Sequence, residues 1–322
     1  MRPTAPPDGL APRAGKGAPA PGAGSAGPRP DVGAVIVNYN AGDHLLACVA
    51  SLRVEGVDQI VVVDNGSVDG SCRALQEADP AVRVLCPGAN LGYGAGANLG
   101  IGEITSELVL VGNPDIVVQP GAVAALAATL AGDPALGVVG PRVEEADGSL
   151  YPSARTFPSL VDALGHGFLG MVAPGNPFSR RYTMADWDHA DAREVDWVSG
   201  ACFLARRSVL ETLQGFDEAY FMYSEDVDLC WRTRQAGWRV AFQPAAGVSH
   251  IQGVSAEHHP YRMILAHHRS LLRFASRTTT GWQRGLLPAM AAGLGLRAGL
   301  VALDRWRADG VHAATRGGRR QL

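Results

Sequence analysis

Residues 32–67 read VGAVIVNYNAGDHLLACVASLRVEGVDQIVVVDNGS, and this stretch decides the fold. Val32 to Val37 is a short apolar run rich in β-branched side chains, the composition of a strand buried on both faces. His44 to Arg53 carries a helical pattern, and Gln59 to Val63 is a second buried strand. The turn Asp64-Asn65-Gly66-Ser67 follows, with Ser67 or Asp69 placed to cap the next helix. Further on, Val82 to Leu85 reads as a third strand, and a glycine-rich loop and helix lead to a fourth, Leu108 to Val111. Strands alternating with helices predict an α/β fold: a mostly parallel central sheet flanked by helices. Ligands of such sheets sit at the carboxyl ends of the strands. Asn38-Tyr39-Asn40, Asp64 and Asp115 all fall there.

The second half is less regular. Four prolines break Tyr151 to Pro177, Val198 to Ala205 reads as a buried strand, and Val227 to Gln235 reads as a helix with Gly237 at its end. Trp238 to Phe242 is another strand, and from His258 the chain is helical and increasingly basic. Of the first 30 residues, 21 are Pro, Ala or Gly, with no apolar signal segment, which predicts a disordered tail. The expected organisation is therefore a tail over 1–30, a catalytic domain over 31–256 and a helical basic extension over 257–322. From Gly281 onward seven Arg stand against Asp304 and Asp309, while the apolar run from Gly285 to Leu296 is short for a bilayer span. That combination suits a helix lying at an anionic membrane surface. A net charge of −3 gives no pull toward nucleic acid. Five widely spaced cysteines contain no C-x-x-C pair, so a zinc site or disulfide framework is not indicated and a cytoplasmic setting fits.

Several segments carry chemistry. Asp64 either caps its turn or accepts a hydrogen bond from the N3–H of a pyrimidine base. Asn113-Pro114-Asp115, just past a strand, delivers one carboxylate to a cleft, where it suits a divalent cation facing a diphosphate. In Asn90 to Asn98, Gly92, Gly94 and Ala97 match a dinucleotide fingerprint, but the segment does not follow a strand directly. A loop that lets backbone approach a nucleotide is the better reading. Phe221 to Arg232 places Glu225, Asp226 and Asp228 at the opening of a helix behind a crowd of aromatic residues. A low dielectric there would make Asp226 a better base. His250 follows a strand 24 residues later and could complete a one-acid metal site. His258-His259 and His267-His268 read as solvated helix residues.

These segments, in this order, resemble the family 2 glycosyltransferases of GT-A fold, and within them the rhamnosyltransferase branch. The likeness rests on VIVNYN (35–40), VVVDNGS (61–67), NLGYGAGAN (90–98) and NPD (113–115). It continues through SGACFL (199–204), GFDEAYFMYSEDVDL (215–229) and AGW (236–238). Residues 151–155 (YPSAR) and the His267-His268 region extend it toward actinobacterial enzymes that add L-rhamnose to a GlcNAc-diphospho-polyprenol. The resemblance implies dTDP-β-L-rhamnose as donor, inversion, Mg²⁺ or Mn²⁺, and work at the inner face of the cell membrane. It assigns Asp226 as base with Glu225 supporting it, and Asp115 and His250 to the metal. The donor would meet Asn38, Tyr39, Asp64, Asn65, Asn90, Gly92, Asn98 and Asn113, with Arg155 and Arg232 as candidates for phosphate or acceptor. Asn113 departs from the two-acid metal pattern of many such enzymes. A UDP-hexose or UDP-galactofuranose donor, or a sugar-nucleotide-binding module without catalysis, are the alternative readings.

Overall fold

The computed structural model describes residues 31–157, 165, 169, 173, 175–251 and 260–318. The tail expected over 1–30 and the boundary expected at 256/257 lie outside the described residues. The first half alternates as the sequence predicts: β1 (Val32–Asn38), α1 (His44–Val54), β2 (Gln59–Asp64), α2 (Ser71–Ala78), β3 (Arg83–Leu85), α3 (Tyr93–Ile101) and β4 (Leu108–Gly112). Next come β5 (Ile116–Val118), α4 (Ala122–Gly132), β6 (Leu136–Glu145), β7 (Leu150–Tyr151), β8 (Ala154–Arg155) and α5 (Pro177–Tyr182). The chain continues through β9 (Arg193–Val195), β10 (Trp197–Val198), β11 (Cys202–Arg206), α6 (Arg207–Leu213), α7 (Glu225–Gln235) and β12 (Arg239–His250). After α8 (Pro260–Thr278), a 3₁₀ segment (Gly281–Leu286) runs into α9 (Leu287–Gly318).

The main sheet runs β3-β2-β1-β4-β11-β6-β12-β5. Strands β3, β2, β1 and β4 are parallel, whereas β11 is antiparallel to both β4 and β6, so the sheet is mixed beyond β4. Both faces are covered, which is why β1 reads as an unbroken apolar run. Ala34 and Ile36 point into one core with Leu45 and Leu126 of α1 and α4. Val35 and Val37 point into the other with Ala97 of α3, Leu210 of α6 and Leu229 of α7.

Two local expectations change. The glycine-rich segment is a helix for most of its length, and its glycines serve packing. A Cβ on Gly100 would stand 2.3 Å from Val35 Cγ1, so α3 lies directly on β1 only because that atom is absent. The strand expected over Val198 to Ala205 is two strands, broken at Ser199-Gly200-Ala201. There the backbone turns its amides away from the ladder: Ser199 N–H donates to Ser153 O (2.7 Å) and Gly200 N–H to a side chain of α7.

The C-terminal helices are tied to the rest by packing and charge. Phe274 of α8 belongs to the core that also holds Tyr220 and Phe216. Asp217 accepts from Arg273 at 2.7 Å and from Arg277, and Arg277 also lies 3.3 Å from the fully buried Asp228. Met290 and Leu294 of α9 pack on Ala275 of α8. The apolar run that looked short lies in a helical stretch from Gly281 to Arg307, 27 residues whose most apolar 18-residue window has mean hydropathy 1.7, long and apolar enough by length and composition to cross a membrane. The sequence reading stopped at Arg297, but that arginine turns inward and donates to His268 Nε2 at 3.0 Å, so His268 is a buried contact rather than a solvated residue.

Candidate active site

A cavity of about 460 Å³ opens at the carboxyl ends of β1 and β4, within the range of small-molecule sites. Its walls include Tyr39, Asn65, Asn90, Gly92, Asn113, Asp115, Arg155, Glu225, Asp226 and His250, ten of the residues predicted from sequence.

The acids sit at the start of α7. Tyr223 (φ 68°) and Ser224 (φ 63°) hold consecutive left-handed conformations immediately before it, a strained approach of the kind that clusters at functional sites. This turn swings Glu225 and Asp226 into the cavity. Asp226 Oδ2 accepts from Gly200 N–H and Oδ1 from Val227 N–H, both at 2.8 Å. Gly200 is fixed in turn, since its carbonyl accepts from the buried Tyr93 hydroxyl at 2.5 Å. The broken strand and α3 thus hold the carboxylate from two sides. Glu225 is buried, and its Oε2 has no hydrogen-bond partner among the described residues. Burial, with the adjacent Asp226 charge, pushes the Glu225 carboxyl well above the usual range. Burial raises Asp226 too, but the Gly200 and Val227 amides hold it back. Two such neighbours share protons, and the backbone donors favour the charge on Asp226 and the proton on Glu225.

Asp115 and His250 meet at the cavity floor. Strand β5 pairs with β12, and Ile251 N–H donates to Asp115 O at 3.0 Å, which brings both residues together. His250 Nε2 lies 3.2 Å from Asp115 Oδ1 and 3.2 Å from Asn113 Nδ2. Asp115 Oδ1 is buried without a hydrogen-bond donor. Two ligands at right angles, each roughly 2.1 Å from a hard divalent cation, stand about 3 Å apart, so the pair fits one cation. His250 Nδ1 also lacks a hydrogen-bond partner among the described residues, and its ring makes edge contact with Tyr151 at 6.3 Å between centroids. Among the described residues no three His, Cys, Asp or Glu gather as a metal cluster. A cation here would therefore need oxygens from a phosphate and water.

Arg155 enters the cavity from β8. Its guanidinium lies over the rings of Tyr151, Tyr182 and Trp197 at 5.4, 5.5 and 5.1 Å, and its Nε donates to Pro152 O at 2.7 Å. Three rings fix a charge that no carboxylate among the described residues neutralises within salt-bridge distance.

Four predicted residues do not line the cavity. Asn38 is fully buried and donates to Ser67 and Ser71, joining β1 to the turn after β2. Asp64 accepts from Ser67 N–H at 3.1 Å, half-buried beside the cavity residue Asn65. Asn98 faces away and clamps the Phe216 backbone, donating to its carbonyl (3.0 Å) and accepting from its amide (2.8 Å). Arg232 is held by Asp228 at 2.6 Å and by Leu213 O. The sequence reading missed Tyr93, Trp197, Gly200 and Tyr223, which shape the site, and Arg262 and His267, which α8 contributes to its wall. Gly200 carried a signal, since a glycine inside an apparent strand marks a bulge or close approach. Arg262 carried none and His267 only the family likeness of its segment, because their helix reaches the site only through tertiary packing.

Comparison with known proteins agrees with this geometry. Residues 28–280 match the family model described as glycosyltransferase like family 2. The chain is 38% identical over 287 residues to the N-acetylglucosaminyl-diphospho-decaprenol L-rhamnosyltransferase of Mycobacterium tuberculosis, covering 85% of this chain and 93% of that one. Two solved structures share the fold. One is the mannosyltransferase PcManGT from Pyrobaculum calidifontis in complex with GDP-Man and Mn²⁺ (TM-score 0.53, 17% identity, 90% of this chain and 80% of that one). The other is residues 1–349 of S. aureus TarS (TM-score 0.52, 14% identity, 83% and 71%). With an acid pair, a buried Asp–His pair and one cavity at the strand ends of a GT-A sheet, the chain belongs to the family 2 glycosyltransferases.

Proposed function

We propose that this chain transfers L-rhamnose, with inversion, from dTDP-β-L-rhamnose to a GlcNAc-diphospho-polyprenol at the inner face of the cell membrane. The observation that carries the reading is one cavity lined by Glu225 and Asp226 from α7 and by Asp115 and His250 from the β5–β12 edge. Inverting transfer needs a carboxylate to take the proton from the attacking hydroxyl and compensation for the diphosphate that leaves. Asp226 serves the first need, with Glu225 retaining its proton beside it. Asp115 and His250 would hold Mg²⁺ or Mn²⁺, which would neutralise charge on the departing diphosphate. The Mn²⁺ in the mannosyltransferase of the same fold supports a metal here. Arg155, caged by three rings, adds a fixed positive charge to the same cavity.

The name of the mycobacterial relative, which states rhamnosyl transfer to GlcNAc-diphospho-decaprenol, supports the sugar and the acceptor; the dTDP carrier is part of the proposal. Asp64, beside the cavity residue Asn65, is assigned to the donor base. The membrane-surface reading is supported by α9. One face packs on α8, while Leu296, Leu300, Leu303 and Trp306 form an exposed apolar ridge flanked by Arg305 and Arg307. A helix committed to protein along one side suits an in-plane position better than a span.

A donor panel against a polyprenyl-diphospho-GlcNAc analogue, read by mass and by the anomeric configuration of the product, tests the reading. dTDP-β-L-rhamnose should give one α-linked rhamnosyl addition. Preferred transfer from a UDP-hexose or UDP-galactofuranose would overturn the donor, and donor hydrolysis without transfer would overturn the reaction.

A further inference from the structure

The arginines of this fold are mostly spoken for. Arg273 and Arg277 pair with Asp217, Arg232 with Asp228 and Arg234 with Asp196. Arg262 differs. It lies on the cavity wall and is exposed, with no ion pair or hydrogen bond among the described residues; its one charge contact is the Phe221 ring, 5.8 Å from its guanidinium carbon. An exposed guanidinium with no carboxylate partner keeps its donors available for charge-assisted hydrogen bonds to an incoming anion.

Its position says which anion. The donor side of the cavity is built from the strand ends around Asn65, Asn90 and Asp115, whereas Arg262 comes from α8, the helix that carries α9. Met263, His267 and Leu271 recur at four-residue spacing on α8 and line the cavity beside it. Ser270 Oγ donates to Met222 O at 2.9 Å and His267 meets the Tyr223 ring edge-on at 5.2 Å, so this wall is fastened to the turn that presents Glu225 and Asp226. A cation on the wall, acids within and the apolar Met263 and Leu271 beside them match the diphosphate, sugar and prenyl chain of the acceptor.

We infer that Arg262 is the anchor for the acceptor's diphosphate, and that α8 is the wall along which a prenyl diphosphate enters. The inference rests on the transferase reading above and names a subsite that reading leaves open. The test compares Arg262→Ala and Arg262→Lys with wild type on two soluble acceptors, a short-chain prenyl-diphospho-GlcNAc and a phosphate-free GlcNAc glycoside, without vesicles. For Arg262→Ala, kcat/KM on the diphosphate acceptor relative to the glycoside should fall about 10- to 100-fold, the scale of a lost charge-assisted hydrogen bond. Donor KM should move less than about threefold, and Arg262→Lys should recover most of the loss. Equal loss on both acceptors, or a shift confined to donor KM, would overturn the assignment. Calorimetric binding of farnesyl diphosphate to the full chain separates the two readings, because it needs no turnover. Weakened binding in Arg262→Ala supports the subsite even if rhamnose proves the wrong sugar, and unchanged binding refutes it.

Discussion

Replacing Asp226 by Asn keeps the shape of the side chain and removes its ability to take a proton. Loss of a positioned general base costs roughly 10²–10⁴ in turnover, about 2.7–5.4 kcal/mol at 1.36 kcal/mol per decade. The structure adds a second cost. Both carboxylate oxygens accept backbone amides at 2.8 Å, from Gly200 and Val227, and an Asn must turn its NH₂ toward one of them. That donor–donor clash costs about 1–3 kcal/mol of stability, a fall in Tm of several degrees. The two costs separate in the assay: single-turnover rates measured well below Tm report the base, and calorimetry reports the clash. Donor KM should stay within about threefold. Glu225→Gln is the control, because a buried Glu that keeps its proton is close to a Gln in shape and charge; turnover should fall by less than about tenfold. Near-normal turnover in Asp226→Asn would refute the assignment, and a collapse in Glu225→Gln alone would move the base to Glu225.

Glu225→Gln also makes a pH prediction. Since the folded state raises this carboxyl, it favours folding below the ordinary carboxylate range and loses that contribution as pH climbs through the raised value. The Tm of Glu225→Gln relative to wild type should therefore rise from pH 5 to pH 9, and a flat difference would mean Glu225 is not perturbed. EDTA should abolish transfer and Mg²⁺ or Mn²⁺ restore it, while Asp115→Ala should weaken dTDP binding only when metal is present; full activity in chelator with no residual metal would remove Asp115 and His250 from the metal site. Gly92→Ala should cost about 2–5 kcal/mol by thermal unfolding, since Gly92 sits at φ 90° and a Cβ there would stand 2.2 Å from Phe221 O. The full chain should float with anionic liposomes at low salt and detach at high salt, whereas a chain ending at Thr280 should remain in the soluble fraction and still bind dTDP. Equal flotation of both would separate α9 from the membrane.

The parallel half of the fold was legible because its strands are buried on both faces and so advertise themselves as apolar runs. Asp115, Asp226 and His250 were legible because each follows a strand or opens a helix, where a carboxylate or imidazole is aimed at the ligand end of the sheet. Asn98 and Arg232 looked like ligands only because they stand inside well-marked segments. Their local neighbours do not reveal that Asn98 grips a backbone 118 residues away or that Arg232 closes on Asp228. The break at Gly200 was signalled only by the glycine itself, since the amide that leaves the ladder finds its acceptor 26 residues later. The wall made by α8 depends wholly on tertiary contacts, and periodicity alone made His267 look solvated.

The antiparallel insertion of β11 beside β4 sets an order of events during synthesis. Strands β1 to β4 can pair with one another once residue 112 has emerged, but β4 keeps an unpaired edge until Cys202–Arg206 arrives. At about 5–20 residues per second, that edge waits roughly 5 to 20 seconds. During this interval Leu108–Gly112, an apolar strand with free amides and carbonyls, is a template for pairing with a second nascent chain. The acids arrive later still, and Gly200 has no carboxylate to receive its amide until Asp226 is made. A half-made chain thus has one wall of the cavity before it has the acids that face it, and slowing translation between residues 112 and 206 should lower soluble yield more than slowing it after β11.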